Sequence, residues 1–221
     1  MADQSHENGV VVIGLGRFGG AVAESLVRLG HDVLAIDENA ELVQSWSDRL
    51  THVVQADTTN SDTLRRLGVA EFGRAVVGIG TDLEASVLTV LALSELGLPD
   101  IWAKALGPKH GRILERTGAH HVVYPEAAMG ERVAHLVTGR MIDFIEFDDG
   151  FAIAKTRAPR EALGRTLAES GLRSKYGVTV VGVKRPRTDF TYARPETAIA
   201  QGDILIVSGA TKLVEAFAGM T

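Results

Sequence analysis

The sequence predicts an α/β protein, in which a Rossmann-like, doubly wound parallel sheet is followed by a smaller α+β domain. Short apolar segments alternate with amphipathic helical ones through residues 1–140, which is typical of strands joined by crossover helices. A glycine-rich turn from Gly14 to Gly19 joins the first strand to the first helix. After Met141 the segments become short, with glycine and proline between them. We therefore expect two domains, 1–140 and 141–221.

The first domain contains six predicted strands and six predicted helices in strict alternation. The strands are Val10–Ile13, Val33–Ile36, His52–Gln55, Ala75–Ile79, Ile101–Ala105 and His121–Tyr124. The helices are Phe18–Leu29, Ala40–Leu50, Ser61–Leu67, Leu83–Leu96, Pro108–Thr117 and Ala127–Arg140. Four of these helices are followed by a glycine that can adopt a left-handed conformation and end the helix: Gly30, Gly68, Gly97 and Gly118.

Two of the helices lead to expectations about packing. The first helix carries one apolar stripe that we expect to cover the sheet: Phe18, Val22, Leu26 and Leu29. The helix Leu83–Leu96 is apolar on nearly every side, so it is expected to be buried on more than one face. One face covers the sheet and the other meets a second subunit, which predicts at least a homodimer.

The second domain is predicted to be small and rich in short strands, joined to the first by a hinge at Gly139–Asp143. Its strands are Ile142–Phe147, Phe151–Thr156, Val178–Lys184, Phe190–Tyr192 and Ile204–Ser208. One short helix, Leu167–Arg173, and a terminal helix from Lys212 complete it. This mixture indicates an α+β module.

Composition limits the classes of function. The 221 residues carry a net charge of −5 with lysine and arginine scattered, so no nucleic-acid partner is expected. Without cysteine in the sequence, disulfides and thiol catalysis are excluded. The first nine residues lack a signal-peptide pattern, and the longest apolar stretch, Ser86–Leu93, is shorter than the ~20 residues that cross a bilayer. We expect a cytoplasmic protein that reaches a membrane only through a partner.

The glycine-rich turn predicts a bound nucleotide. Gly14, Gly16 and Gly19 stand between a strand and a helix, where glycines bring backbone N–H groups against phosphate oxygens and the helix N-terminus adds positive charge. Asp37 follows the second strand, where a carboxylate can accept hydrogen bonds from ribose hydroxyls. Capping of the next helix is the alternative role for Asp37. The neighbouring Glu38 disfavours a 2′-phosphate, and therefore NADP.

Six segments together resemble one family, the regulatory subunits of Ktr/Trk potassium-uptake systems, which are stand-alone RCK (regulator of potassium conductance) proteins. In chain order the segments are GLGRFG, AIDEN, QADTTN, IWAKAL, VVYPEAAMG and SKYGVTVVGVK. The resemblance implies an RCK N-terminal and an RCK C-terminal domain. It also implies a cytosolic gating subunit that binds ATP or ADP, forms a homodimer and then a ring, by family precedent an octamer. The ring would regulate a membrane K⁺-translocating subunit of the Trk/Ktr type.

Several residues around the turn have both a plain and a functional interpretation. Arg17 and Phe18 lie in the turn itself. Arg17 is either a solvated surface residue or a ligand of a third phosphate, since a helix N-terminus already serves a pyrophosphate. The resemblance implies that Arg17 binds the γ-phosphate of ATP. Asp57 and Thr58 follow the third strand, beside the expected adenine, although turn chemistry explains them equally well.

Two charged residues further along the chain extend the predicted site. Lys104 ends the fifth strand. It is either a lysine that extends to solvent or, as the resemblance implies, a contact on the phosphate side. Glu126 begins the sixth helix, where a carboxylate is stabilised in any case. The resemblance places it beside a cation that is bound with ATP, and Mg²⁺, Ca²⁺ and Na⁺ remain open.

A second ligand site is implied in the C-terminal domain. The residues concerned resemble the cyclic di-AMP pocket of some Ktr subunits: Leu167, Arg173, Tyr176, Val180 and Pro195. Plain packing between strands is the alternative for its apolar members. The pair His120-His121 does not predict a metal site, because adjacent residues entering a strand point to opposite faces.

Other functions remain as alternatives. An NAD-dependent oxidoreductase needs a general acid or base near the cofactor, but the residues after Met141 include no histidine. We therefore expect no enzyme, and NAD or NADH is a less favoured ligand than ATP or ADP. A transcription factor would need a basic recognition helix, and none is predicted. A regulatory subunit of a cation/proton antiporter is the remaining alternative, since antiporters also use RCK partners.

Overall fold

The computed structural model describes residues 9–137, 141–147 and 150–220. The chain divides into two compact units, Met1–Glu126 and Ala127–Thr221. Gly139 of the predicted hinge lies outside the described ranges. The predicted domain boundary after residue 140 falls at the same gap and therefore stays a prediction. Within the described ranges, no helix is long and apolar enough to cross a membrane.

The first unit is built on a six-stranded sheet whose strands all run parallel, as predicted. The strands are β1 (Val10–Ile13), β2 (Val33–Asp37), β3 (His52–Gln55), β4 (Arg74–Val77), β5 (Ile101–Lys104) and β6 (His121–Val123). Their order across the sheet is β3-β2-β1-β4-β5-β6, and β1 pairs in parallel with both β2 and β4. Because the chain order reverses on either side of β1, the carboxyl ends of β1 and β4 open a crevice of the kind that binds ligands in such sheets.

Five helices connect these strands, a sixth follows β6, and a 3₁₀ turn precedes β4. They are α1 (Arg17–Arg28), α2 (Ala40–Trp46), α3 (Ser61–Arg66), α4 (Leu83–Glu95), α5 (Pro108–Thr117) and α6 (Pro125–Val137). The prediction for α2 was four residues too long, and α6 begins two residues earlier than predicted, with Pro125 in its first turn. The predicted end of α6 at Arg140 lies outside the described residues. All four glycines expected to end helices have positive φ, between 72° and 116°.

The predicted apolar stripe on α1 is wrong in part. The buried residues of this helix are Gly19, Gly20 and Ala23, while Leu29 is 72% exposed. Val22 and Leu26 of the predicted stripe are half-buried and pack against the core as expected, but the small residues are the ones that bring the helix backbone close to the sheet. The closeness of α1 to β1 therefore depends on glycine.

Helix α4 has the two apolar faces that the sequence predicted. Val90, Ala92 and Leu93 are buried in the core of the unit. On the other side Leu83, Leu88 and Leu91 are exposed, by 52%, 38% and 38%. This open face is where a second subunit was expected, and that contact stays a prediction.

The second unit contains the predicted small α+β module. Its antiparallel sheet has the order β10-β9-β11-β8-β7, with strands β7 (Asp143–Phe147), β8 (Phe151–Arg157), β9 (Thr179–Lys184), β10 (Phe190–Tyr192) and β11 (Ile204–Ala210). The helices are α7 (Leu167–Ser170), α8 (Leu172–Tyr176) and α9 (Thr211–Ala218). The single helix predicted at Leu167–Arg173 is wrong, because Gly171 takes a left-handed φ of 60° and divides it in two.

Candidate nucleotide-binding site

Three glycines bring the backbone of β1, α1 and β4 into close contact at the predicted turn. Gly14 has a φ of 87°, and a Cβ atom built on Gly19 would lie 1.8 Å from the carbonyl oxygen of Gly14. A Cβ atom on Gly78, just after β4, would lie 3.1 Å from the same oxygen. Gly16 differs from these, since a Cβ atom there would meet nothing within 4 Å. The turn is therefore shaped by Gly14 and Gly19, with Gly78 beneath them, and Gly16 faces open space.

The N-terminus of α1 has no side-chain cap. Gly16 occupies the N-cap position, and the first turn of the helix holds no acidic residue. In contrast, Asn39, Asn60 and Asp82 cap α2, α3 and α4 through their side-chain oxygens. Free N–H groups and the helix dipole together suit an anion, and α1 presents them at the predicted phosphate position.

Asp37 holds the turn rather than capping α2. Its carboxylate is 8% exposed at the end of β2. Oδ2 accepts a hydrogen bond from the backbone N–H of Leu15 at 2.5 Å, and Oδ1 accepts one from the N–H of Asn39 at 2.8 Å. The predicted alternative of helix capping falls to Asn39. Each carboxylate oxygen has a further lone pair, so contact with a ribose stays a prediction for Asp37, as does the exclusion of a 2′-phosphate by the exposed Glu38.

Lys104, Glu126 and Arg17 form one charged cluster next to the turn. The Lys104 Nζ atom donates to Glu126 Oε1 at 2.5 Å and lies 5.8 Å from the ring centre of Phe18. Lys104 is only 8% exposed, so it is not the solvated lysine of the plain interpretation. The hydrogen bond from Lys104 lowers the pKa of Glu126, with a smaller contribution from the positive charge of Arg17. Gly80 leaves the room for the ammonium group, since a Cβ atom there would lie 3.1 Å from Nζ.

Asp57 and Thr58 already have partners within the protein. Asp57 Oδ1 accepts hydrogen bonds from the hydroxyl and the N–H of Thr59, and these bonds lower the pKa of Asp57. The Thr58 hydroxyl lies 2.9 Å from the hydroxyl of Thr89 on α4, and both residues are buried. Turn chemistry therefore accounts for Asp57, and packing against α4 accounts for Thr58. The predicted place of both residues beside the adenine stays a prediction.

The two adjacent histidines have separate structural roles. The Nδ1 atom of His120 accepts a hydrogen bond from the N–H of Ile101, and the ring of His121 stacks on Trp102 at 4.0 Å. In the part of the chain that the structure describes, no group of three or more His, Cys, Asp or Glu residues is arranged to hold a metal ion.

The second unit contains a cavity of about 280 Å³ at the position implied for cyclic di-AMP. Leu167, Arg173, Val180 and Pro195 line it, as the resemblance implies. Tyr176 does not line it, because its hydroxyl donates to Glu161 and its ring packs against Phe217. The other lining residues are Ala168, Leu172, Thr179, Ala193 and Arg194.

Sequence reasoning missed four residues that shape these two sites. The turn is contacted by Gly78 and Trp46, and Lys104 by Gly80, although these partners lie far apart in the sequence. Arg194 lines the cavity from the segment after β10. One signal was present in the sequence, since Gly78 and Gly80 lie at the end of the fourth predicted strand, Ala75–Ile79, much as the Gly14 turn lies at the end of the first. In a parallel sheet the ends of neighbouring strands meet at the same edge.

The sheet order and the glycine turn define a nucleotide-binding protein of the Rossmann class. Residues 10–125 match the TrkA-N domain family and residues 154–219 match the TrkA-C domain family. The Ktr system potassium uptake proteins A and C of Bacillus subtilis are 36% and 35% identical to the chain over 207 residues, with 93% of the chain and 93% and 94% of those proteins covered. The chain belongs to the RCK family and is a Ktr-type regulatory subunit.

Solved structures agree on the fold. The crystal structure of the GsuK RCK domain superposes with a TM-score of 0.67 over 100% of this chain at 20% identity, and this chain spans 48% of that one. The GsuK channel bound to NAD gives the same TM-score and identity, with 40% of its chain covered. GsuK bound to ADP matches 62% of this chain and 35% of its own length at 26% identity, with a TM-score of 0.52.

Proposed function

We propose that the chain binds ATP and ADP at the glycine turn of its first unit and thereby regulates K⁺ flow through a membrane partner. The observation that carries the proposal is the charged cluster of Arg17, Lys104 and Glu126 beside the uncapped N-terminus of α1. The names of the Ktr relatives support the link to potassium uptake, and the GsuK structures with NAD and ADP support an adenine nucleotide as the ligand.

The charge at the site favours ATP over a dinucleotide. The bare N–H groups of α1 serve two phosphates, as in other sites of this class. Arg17 is the first residue of that helix and is exposed, so its guanidinium is available for a further phosphate through charge-assisted bonds. A nicotinamide nucleotide has no third phosphate at that position.

Glu126 is proposed to share a cation with ATP. Its carboxylate already lies against the Lys104 ammonium, and its side chain is 64% exposed. Carboxylate and phosphate oxygens together suit hard cations such as Mg²⁺ or Ca²⁺, and Na⁺ is the third candidate. When a triphosphate and its cation bind, Lys104 would turn to the phosphates and Glu126 to the cation, so the ion pair between them would be exchanged.

The proposed regulation of the membrane partner depends on the third phosphate, which ATP has and ADP lacks. A ligand shifts a conformational equilibrium only by its differential affinity for the two states, so the third phosphate must contact a group that moves. Arg17 and Glu126 are the groups we propose. A homodimer through the open face of α4, assembled into an octameric ring at the inner face of the membrane, would pass that shift to a pore subunit of the Trk/Ktr type.

The test is the Arg17→Ala variant. We expect its affinity for ATP to fall by about tenfold or more, because a charge-assisted bond contributes about 1.5–3 kcal/mol. Its affinity for ADP should change by less than about threefold, because Arg17 has no third phosphate to bind there. Isothermal titration calorimetry with each nucleotide measures both values.

Arg28→Ala is the matched control, since Arg28 lies at the opposite end of α1 and contacts Ser25. It should leave both affinities unchanged. Equal losses for ATP and ADP in Arg17→Ala would remove Arg17 as the discriminating residue. Failure of the wild-type protein to bind either nucleotide would overturn the proposed function.

We also propose cyclic di-AMP as a ligand of the cavity in the second unit. Apolar walls from Leu167, Leu172 and Val180 suit the bases, and the guanidinium groups of Arg173 and Arg194 suit the phosphates. A cavity of about 280 Å³ is at the lower limit of small-molecule sites, so one half of the dinucleotide would fill it.

Calorimetry with cyclic di-AMP tests this second site. Arg173→Ala should lower the affinity by about tenfold, because one charge-assisted phosphate contact is lost. Arg160→Ala, in a 3₁₀ turn of the second unit at Arg160–Ala162 and not part of the cavity wall, should bind normally. If the wild-type protein gives no heat of binding with cyclic di-AMP at millimolar concentration, the cavity does not bind this ligand and its residues serve only the packing of the second unit.

A further inference from the structure

The last residue of α2 reaches back to the glycine turn. The indole Nε1 of Trp46 donates a hydrogen bond to the carbonyl oxygen of Leu15 at 3.1 Å, across 31 positions of sequence. Leu15 is the residue whose N–H is held by Asp37. The backbone of Leu15 is therefore fixed at both its N–H and its carbonyl, by side chains that come from the end of β2 and the end of α2.

The indole ring has little freedom in this position. Its edge lies against Gly20 of α1, where a Cβ atom would come within 2.2 Å of the ring carbon Cζ2. The Arg49 guanidinium covers the ring at 4.4 Å from its centre and also pairs with Glu24 of α1. A half-buried ring enclosed on two sides can hold its N–H in one direction.

The bond to Leu15 determines the direction of the next N–H group. The peptide bond between Leu15 and Gly16 is trans, as are all the described peptide bonds, and in a trans peptide the C=O and N–H groups point to opposite sides. Holding the Leu15 carbonyl toward Trp46 therefore sends the Gly16 N–H away from it. Gly16 is exposed and is the N-cap of α1, at the position proposed for the phosphates.

We propose that Trp46 is a positioning residue for the phosphate-binding turn. It does not contact the nucleotide, and it acts by fixing the Leu15–Gly16 peptide so that the Gly16 N–H is directed at a phosphate oxygen before the ligand arrives. This inference rests on the proposed binding of an adenine nucleotide at the turn. Since ATP and ADP share the phosphates bound there, loss of the indole N–H weakens both equally, unlike loss of Arg17.

The experiment compares two single substitutions. Trp46→Phe keeps an aromatic ring against Gly20 but removes the N–H donor, and we expect about a three- to tenfold loss of affinity for both ATP and ADP by calorimetry. Trp102→Phe is the matched control, since Trp102 is the second of the two tryptophans in the sequence and stacks on His121. It should bind both nucleotides normally.

Fluorescence supplies a readout that a role in stability alone would not give. In the Trp102→Phe protein all tryptophan emission comes from Trp46, and ADP should change that emission with the dissociation constant that calorimetry gives. In Trp46→Phe, emission from Trp102 should not respond to ADP. The fluorescence test needs only the protein that retains Trp46, so it also decides the matter if Trp46→Phe does not fold.

The two proposals fail in different ways. If the wild-type protein binds neither nucleotide, the proposed function is wrong. If the wild type binds and Trp46→Phe binds ATP and ADP with unchanged affinity, the positioning role is wrong. The positioning role would also be wrong if calorimetry shows that a nucleotide binds and the emission from Trp46 does not change.

Discussion

The Gly19→Ala variant should lose nucleotide binding and should unfold more easily than the wild type. Its new Cβ atom would lie 1.8 Å from the carbonyl oxygen of Gly14, which is a backbone atom on the tight turn after β1. Relief requires α1 to move away from β1, and overpacking of this kind costs about 3 kcal/mol or more. The same movement takes the N–H groups of α1 away from the phosphates. Chemical denaturation measures the first effect, and calorimetry with ADP the second.

Gly16→Ala is the matched control for this substitution. A Cβ atom on Gly16 would meet nothing within 4 Å, and its φ of −62° is open to any residue. This variant should change the free energy of unfolding by less than about 1 kcal/mol. Should Gly19→Ala be as stable as Gly16→Ala and bind ADP as tightly as the wild type, the close contact between Gly14 and Gly19 would not matter for the site.

The second large effect is expected from Asp37→Ala. The substitution removes the acceptor for the N–H groups of Leu15 and Asn39, and Leu15 is buried at 1% exposure. A buried N–H without a partner costs about 1–3 kcal/mol, so the free energy of unfolding should fall by about that amount for Leu15. Asn39 is exposed, so water can replace the carboxylate as the partner of its N–H. Nucleotide affinity should fall by more than tenfold, because the turn loses its anchor and the ribose loses a proposed acceptor.

Glu38→Ala is the control that shows how much of the change in Asp37→Ala comes from the loss of a negative charge alone. Glu38 is adjacent in sequence and exposed, so its removal should change the stability by less than about 0.5 kcal/mol. Urea denaturation and calorimetry on both variants give the comparison. Asp37→Ala with wild-type stability would show that the bonds to Leu15 and Asn39 contribute little.

The positions of the glycine turn and of Asp37 could be predicted from the sequence because they depend on local preferences. Gly14 and Asp37 directly follow predicted strands, and Gly19 lies in the first turn of the helix that follows Gly14. The strands themselves were predicted within two residues of their observed ends in the first unit. The parallel arrangement follows from the regular alternation of strands and helices, which short hairpins could not give.

The contacts that complete the site could not be read from the sequence. The pairing of Lys104 with Glu126 joins positions 22 apart, and the bond from Trp46 to Leu15 joins positions 31 apart. Both depend on how helices pack on the finished sheet. For the same reason the buried face of α1 was wrong in part, since periodicity identified its large apolar residues while packing selected the small ones.

In the second unit, errors came from single residues. The helix expected at Leu167–Arg173 was predicted as continuous because its composition suits a helix, but Gly171 adopts positive φ and breaks it. Tyr176 was assigned to the cavity by resemblance, and its hydroxyl bonds to Glu161 instead. The sequence does not show that a glycine inside a helix-like segment adopts positive φ, nor in which direction a tyrosine side chain points.

Helix α6 runs without a break through thirteen residues, from Pro125 to Val137, and those after Glu126 belong to the second compact unit. An α-helix rises about 1.5 Å per residue, so Val137 lies about 17 Å along the axis from Glu126. A rod of this kind is stiff in bending and in twist over such a length. A rotation of its first turn would therefore turn the helix as one body, and the proposed exchange of the Lys104 ammonium for a cation at Glu126 would act on that turn.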